Sequence, residues 1–137
     1  MGHNQDIQQL MQEGLTFARA MLQEHGEFFP FAMMLDQSGE ISPAAPYRGP
    51  DTPEPEELIQ RLEDQMRQNV ASGLTRAVAI FVRVRVGSTE ADLDAVQISV
   101  EHASGYASNI YVPFSSVDGE ITLGQPFATD RTPTVFQ

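Results

Sequence analysis

The sequence contains no cysteine and no lysine. Without thiols it can form no disulfide framework, no thiolate zinc site and no cysteine nucleophile. Without lysine it cannot build the Gly-x-x-x-x-Gly-Lys loop that cradles nucleotide phosphates. All eight formally positive side chains are therefore arginines, and they face 19 acidic residues. The net charge of −11 sets the chain against phosphate backbones and anionic lipid, so neither nucleic acid nor a membrane is an expected partner. No apolar run approaches the ~20 residues of a membrane span. The first apolar segment is broken by Gln, Glu and Arg, unlike a signal-peptide core, and a cytoplasmic location is the expectation.

What is present suits one globular domain. A chain of 137 residues with 41% apolar residues can bury enough surface to offset the entropy of ordering, and a single domain over 1–137 is expected, with an irregular tail expected from about residue 125.

The spacing of Ile7, Leu10, Met11, Leu15, Ala18, Met21 and Leu22 predicts a helix over about residues 5–25, capped by Asn4 or Asp6 and ended by Gly26. Phe28 to Leu35, with Pro30 at its beginning, reads as a strand apolar on both faces. The turn residues Asp36-Gln37-Ser38-Gly39 join it to a short second strand at Glu40-Ile41. Residues 42–55 hold five prolines and form a connection with two P-x-x-P spacings. A second helix starts between Thr52 and Pro55, carries Leu58, Ile59, Leu62, Met66 and Val70 on one stripe, and ends at Gly73.

Alternation from Val78 to Val86, from Val96 to Val100 and from Ile110 to Phe114 predicts three further strands. A hairpin through Ala103-Ser104-Gly105 puts Val96 opposite Val112 and Ile98 opposite Ile110; a one-residue slip would mix apolar and polar partners on both faces. The turn Asp118-Gly119 introduces a short strand at Ile121 to Leu123. The expected class is α+β: two helices and an antiparallel sheet of five to six strands, in the order α-β-β-α-β-β-β. Val78, Ile80, Val82, Val96, Ile98, Ile110 and Val112 are expected to share one buried sheet face.

A helix ending Glu24-His25-Gly26, then Phe29-Pro30-Phe31, Gly73-Leu74-Thr75-Arg76-Ala77, Asp94-Ala95-Val96 running to Glu101-His102, and Val112-Pro113-Phe114 together resemble an uncharacterised family of small bacterial proteins across most of the chain. The resemblance implies a bacterial cytoplasmic protein and no particular activity. The element order also resembles roadblock and profilin-like modules, which implies, at the level of fold alone, a sheet that dimerises or scaffolds a partner.

Glu90, Asp92, Asp94 and Glu101 stand at the offsets of calcium ligands, but Ala95 occupies the position that needs glycine, and no metal is expected there. His3, His25 and His102 lack ligand spacing, and His25 is placed to complement the negative end of its helix dipole. Glu101 and His102 are neighbours on a strand and point to opposite faces. There is no Gly-x-Ser-x-Gly elbow, and no cofactor is expected. The candidate interaction surface is the sheet face carrying Phe81, Arg83, Arg85, Gln97, Ser99, Glu101, Asn109 and Tyr111; its alternative reading is a solvated face with Arg-to-Glu cross-strand pairs. The expected function is a non-catalytic binding or scaffolding module, as a homo-oligomer or with a protein partner. The rival readings are an acidic inhibitor masking a basic enzyme and a small enzyme whose pocket draws on Glu101, His102 and Tyr111.

Overall fold

The computed structural model describes residues 2–44, 54–88 and 91–136. Helix α1 (Gly2–His25) is followed by the hairpin β1 (Phe31–Asp36) and β2 (Ile41–Ala44). Helix α2 (Pro55–Ala71) then leads into β3 (Thr75–Ser88), β4 (Ala91–His102), β5 (Ala107–Val117), β6 (Glu120–Leu123) and β7 (Phe127–Asp130). Among the described residues the strands form one antiparallel sheet in the order β2-β1-β3-β4-β5, with β6 and β7 both on the outer edge of β5. The class is α+β, and the helix and strand order is the expected one up to β5.

Local chemistry accounts for the turns. In the first hairpin the Asp36 Oδ1 accepts the Ser38 and Glu40 amides, and Gly39 takes φ 94°. Asp118 and Gly119 both have positive φ, as a two-residue hairpin matched to strand twist requires. The β4–β5 register is the expected one: Val96 faces Val112 and Ile98 faces Ile110.

The tail left irregular from about residue 125 contains a strand, β7. Partners along β5 run from Val117↔Glu120 to Phe114↔Leu123 and then from Tyr111↔Phe127 to Ser108↔Asp130, an offset of one residue. Thus β6 and β7 behave as one edge strand broken by a bulge at residues 124–126. Pro126 has no amide hydrogen to give, and the Gly124 amide instead donates to the Pro113 carbonyl.

The helices lie on opposite faces of the sheet. On the front face Leu10, Ala18 and Leu22 of α1 pack against Ala79, Phe81, Val96, Ile98, Val100, Ile110 and Val112. On the back face Leu62 and Met66 of α2 pack against Ala32, Val78 and Ile80, joined by Val135 from the C-terminal segment. Gly14 sits directly over the Phe81 ring, which is wholly buried and stacks on Phe31 with centroids 4.8 Å apart. Burying a ring of this size contributes roughly 1.5–3 kcal/mol.

This two-sided cover corrects one expectation. Phe81 pairs with Ile98 and Val82 with Gln97, so Val78, Ile80 and Val82 lie on the face opposite Val96, Ile98, Ile110 and Val112. Most of these residues are buried, but not on one face, because β3 is a central strand with a helix on each side. The apolar first strand likewise finds its cover within one chain: Phe28, Phe31 and Met33 are buried, and Phe29 is the exposed exception at 58%. The Asp6 carboxylate, for its part, is not a helix cap, since α1 begins four residues earlier.

Candidate functional site

The register that splits the valines also splits the candidate surface. Phe81, Arg83 and Arg85 lie on the front face; Gln97, Ser99, Glu101, Asn109 and Tyr111 lie on the back. Phe81 is buried under α1 and Glu101 is only 1% exposed, so neither is available as contact surface. Arg83 and Arg85 instead approach the Asp94 carboxylate at 3.5 and 3.4 Å, an exposed cross-strand arrangement worth little in stability. The calcium-loop positions Glu90 and the Asp92 side chain lie outside the described residues, as do prolines 46, 50 and 53 of the P-x-x-P spacings.

Strand parity separates Glu101 from His102, as expected, and each is the centre of its own buried charge cluster. At the front, His102 Nε2 lies 2.8 Å from Asp6 Oδ2 on α1. The Ser104 amide donates to His102 Nδ1 at 3.0 Å, so Nδ1 offers its lone pair and Nε2 carries the hydrogen given to Asp6. Arg76 donates to both Asp6 oxygens, at 3.1 and 3.2 Å, and to the Gln37 carbonyl. Burial opposes ionisation of Asp6, but the bonds from His102 and Arg76 and the Arg76 charge outweigh it and hold the carboxyl below the ordinary 3.8. With both imidazole nitrogens engaged, this cluster clamps the start of α1 to β3, the first hairpin turn and the end of β4.

At the back, the Glu101 carboxylate accepts three consecutive amides: Oε2 from Thr134, Oε1 from Val135 and Phe136. Arg131 lies between two carboxylates, 2.9 Å from Glu101 and 3.6 Å from Glu63 of α2, and also donates to Asn109 Oδ1 and Thr134 Oγ1. The Thr134 hydroxyl donates to Glu63 at 2.6 Å, and its carbonyl accepts from Arg67 Nε at 2.7 Å. Burial pushes the Glu101 carboxyl up, but the three amides and Arg131 together prevail and hold it below the ordinary 4.5. A cleft of about 420 Å³ lined by Arg67, Val70, Ala71, Ala103, Val135 and Phe136 opens beside this segment.

The rest of the back face is a polar and aromatic strip. Ser99 donates to Asn109 Oδ1 at 2.8 Å, and Gln97 to Ser99 at 3.3 Å. Tyr111 stacks on Phe127 of the edge strand, centroids 5.2 Å apart, with Phe127 45% exposed. Tyr111 stands four residues along the sheet from the level of Glu101, about 13 Å away at strand rise. The pocket drawn on Glu101, His102 and Tyr111 is therefore not formed. Among the described residues, no group of three His, Asp or Glu side chains is arranged to hold a metal ion.

Sequence reasoning placed Glu101 and His102 but missed Asp6, Glu63, Arg131 and Thr134 as their partners. One signal pointed that way: an acidic residue inside an apolar strand needs a cationic or amide partner, and only eight arginines were on offer.

Comparison with protein-family models, with curated proteins and with solved structures returned no match.

Proposed function

We propose that the chain is a non-catalytic protein-binding module that self-associates through the strip formed by Gln97, Tyr111 and Phe127. The supporting observation is the Tyr111–Phe127 stack at the open edge of the sheet, where all four β7 side chains are exposed. Tyrosine and its aromatic neighbours combine contact area with hydrogen bonding, the character of residues that dominate interfaces. A sheet edge with free backbone groups is a ready template for a second strand, and a two-fold pairing of β7 with its copy closes both edges at once.

Light scattering across a dilution series tests this reading, beginning at about 100 µM, where even a micromolar dimer is saturated. Two chains of charge −11 repel each other, so added salt strengthens a homodimer, whereas it weakens a complex between this acidic chain and a basic enzyme. Phe127→Ser, at an exposed position, is expected to weaken association about tenfold or more while leaving the fold intact. The mass of one chain at every concentration refutes self-association and moves preference to the heteromeric inhibitor.

A further inference from the structure

The C-terminal segment, residues 131–136, is seated on the back face in the manner of a bound peptide. Its contacts are those a short peptide bent at residues 134–135 can supply: a guanidinium between two carboxylates, three consecutive backbone amides converging on one carboxylate, one carbonyl to Arg67 and one aliphatic side chain in an apolar pocket. Val135 fills that pocket, against Ala32, Leu62, Met66, Val78 and Ile80. Its attachment to the body is the exposed β7 and the bulge before it, with every residue from 126 to 130 exposed. The segment can therefore leave with the α1 core untouched, uncovering the α2 core only at the Val135 pocket. If it leaves, Glu63 and Glu101 face an apolar-walled groove with no arginine between them, an arrangement that rejects anything but a cation.

We propose that residues 131–136 are a built-in pseudo-ligand, and that the groove between α2 and β4 takes a segment of a partner protein, bent as residues 134–135 are, that carries an arginine followed, three and four residues on, by a hydroxyl residue and an aliphatic one. The pattern is read from the seated Arg131, Thr134 and Val135, and the net charge of −11 steers such a cationic segment toward the site. The tether holds the chain's own segment at an effective concentration near millimolar, so it acts as a threshold that weak or non-matching sequences do not pass. This inference rests on reading the chain as a binding module but not on the Tyr111–Phe127 strip, so the dilution experiment above can fail while this one succeeds.

Hydrogen exchange on the unaltered chain gives the first test. The amides of Thr134, Val135 and Phe136 are expected to exchange at least ~100-fold faster than those of Ile98 and Val100 in β4, as a locally opening segment does. Equal rates mean that the segment leaves only when the whole domain unfolds, and overturn the proposal. The second test adds an unlabelled synthetic peptide of sequence 126–137 to the 15N-labelled full chain. At about millimolar peptide the amide signals of Glu101 and Val135 should shift saturably, and a peptide carrying Arg131→Ala should bind at least ~10-fold more weakly. Unmoved signals, or equal affinity of the two peptides, refute the recognition of arginine. A dimer in which two copies exchange their C-terminal segments, formed without added peptide, would make a second copy the occupant and overturn the foreign segment.

Discussion

Gly14 offers the sharpest test of how α1 meets the sheet. Elsewhere on a helix, glycine to alanine gains about 1 kcal/mol, because alanine loses less backbone freedom on folding. Here a Cβ would fall deep inside the van der Waals envelope of Phe81 Cζ, Cε1 and Cε2. The ring has little room to yield, since it is fully buried and stacked on Phe31, whose other neighbours are Phe17 and Phe28. Overpacking of this kind costs about 1–3 kcal/mol, and a confined ring places the site at the upper end. Gly14→Ala should thus lower stability by about 2 kcal/mol net, read in urea as a reduced midpoint at unchanged slope. Phe81→Leu frees space on the other side of the contact. In a double-mutant cycle the two changes should couple favourably by at least ~1 kcal/mol. A neutral or stabilising Gly14→Ala, or an additive cycle, would refute the close approach of helix to sheet.

Ile98, fully buried on the front face opposite Ile110, should cost about 2–5 kcal/mol on truncation to alanine, and a loss under ~1 kcal/mol in the same urea assay would contradict its central place. Acid should destabilise through Asp6 and Glu101: both carboxyls sit below their ordinary values of 3.8 and 4.5 in the folded chain, so the folded state binds fewer protons than the unfolded one. Their contribution is complete above about pH 5 and drains away as pH falls through the depressed folded values. Asp6→Asn should therefore be less stable than the parent at pH 6 and approach it by pH 3; parallel stability curves would show that the Asp6 cluster is not the source.

Periodicity carried the fold wherever one face of an element meets the core. The stripe from Ile7 to Leu22, the turn at Asp36 to Gly39 and the matching alternation of β4 and β5 each have a single arrangement that keeps apolar residues together. It failed at β3 for a physical reason. The valine row of that strand is more hydrophobic than the row of Ala77, Ala79 and Phe81, yet α1 needs small residues and one flat ring beneath it, while α2 takes Val78 and Ile80. Both rows are buried, so hydrophobicity alone does not say which of them continues the Val96 and Ile98 face. Pairing with β4 decides that, and pairing is not periodic. Gly14 was invisible for the same reason: its role is a contact with a residue 67 positions later.

The charge clusters show where local reading stops and what replaces it. Parity along β4 separated Glu101 from His102, and Arg76 and His102 help build one cluster as Glu101 builds the other. Their partners, however, come from the far ends of the chain: Asp6 lies 96 residues from His102, and Thr134 to Phe136 lie 33 to 35 residues beyond Glu101. Each cluster thus ties one terminus to a different end residue of β4. The two ties differ in what stands behind them. Asp6 belongs to a helix whose apolar stripe spans the front core, so its carboxylate is held in place whether or not His102 donates to it. The C-terminal segment has Val135 as its one deeply buried apolar side chain and hangs from an exposed edge strand, so its position depends on Glu101. A carboxylate that is 1% exposed, accepts three amides and pairs with an arginine is costly to desolvate, and it is matched only while that segment is seated. The back face therefore couples a strongly specified polar site to a segment with one deeply buried apolar side chain, which is the physical reason to look for function there and not at the Asp6 clamp.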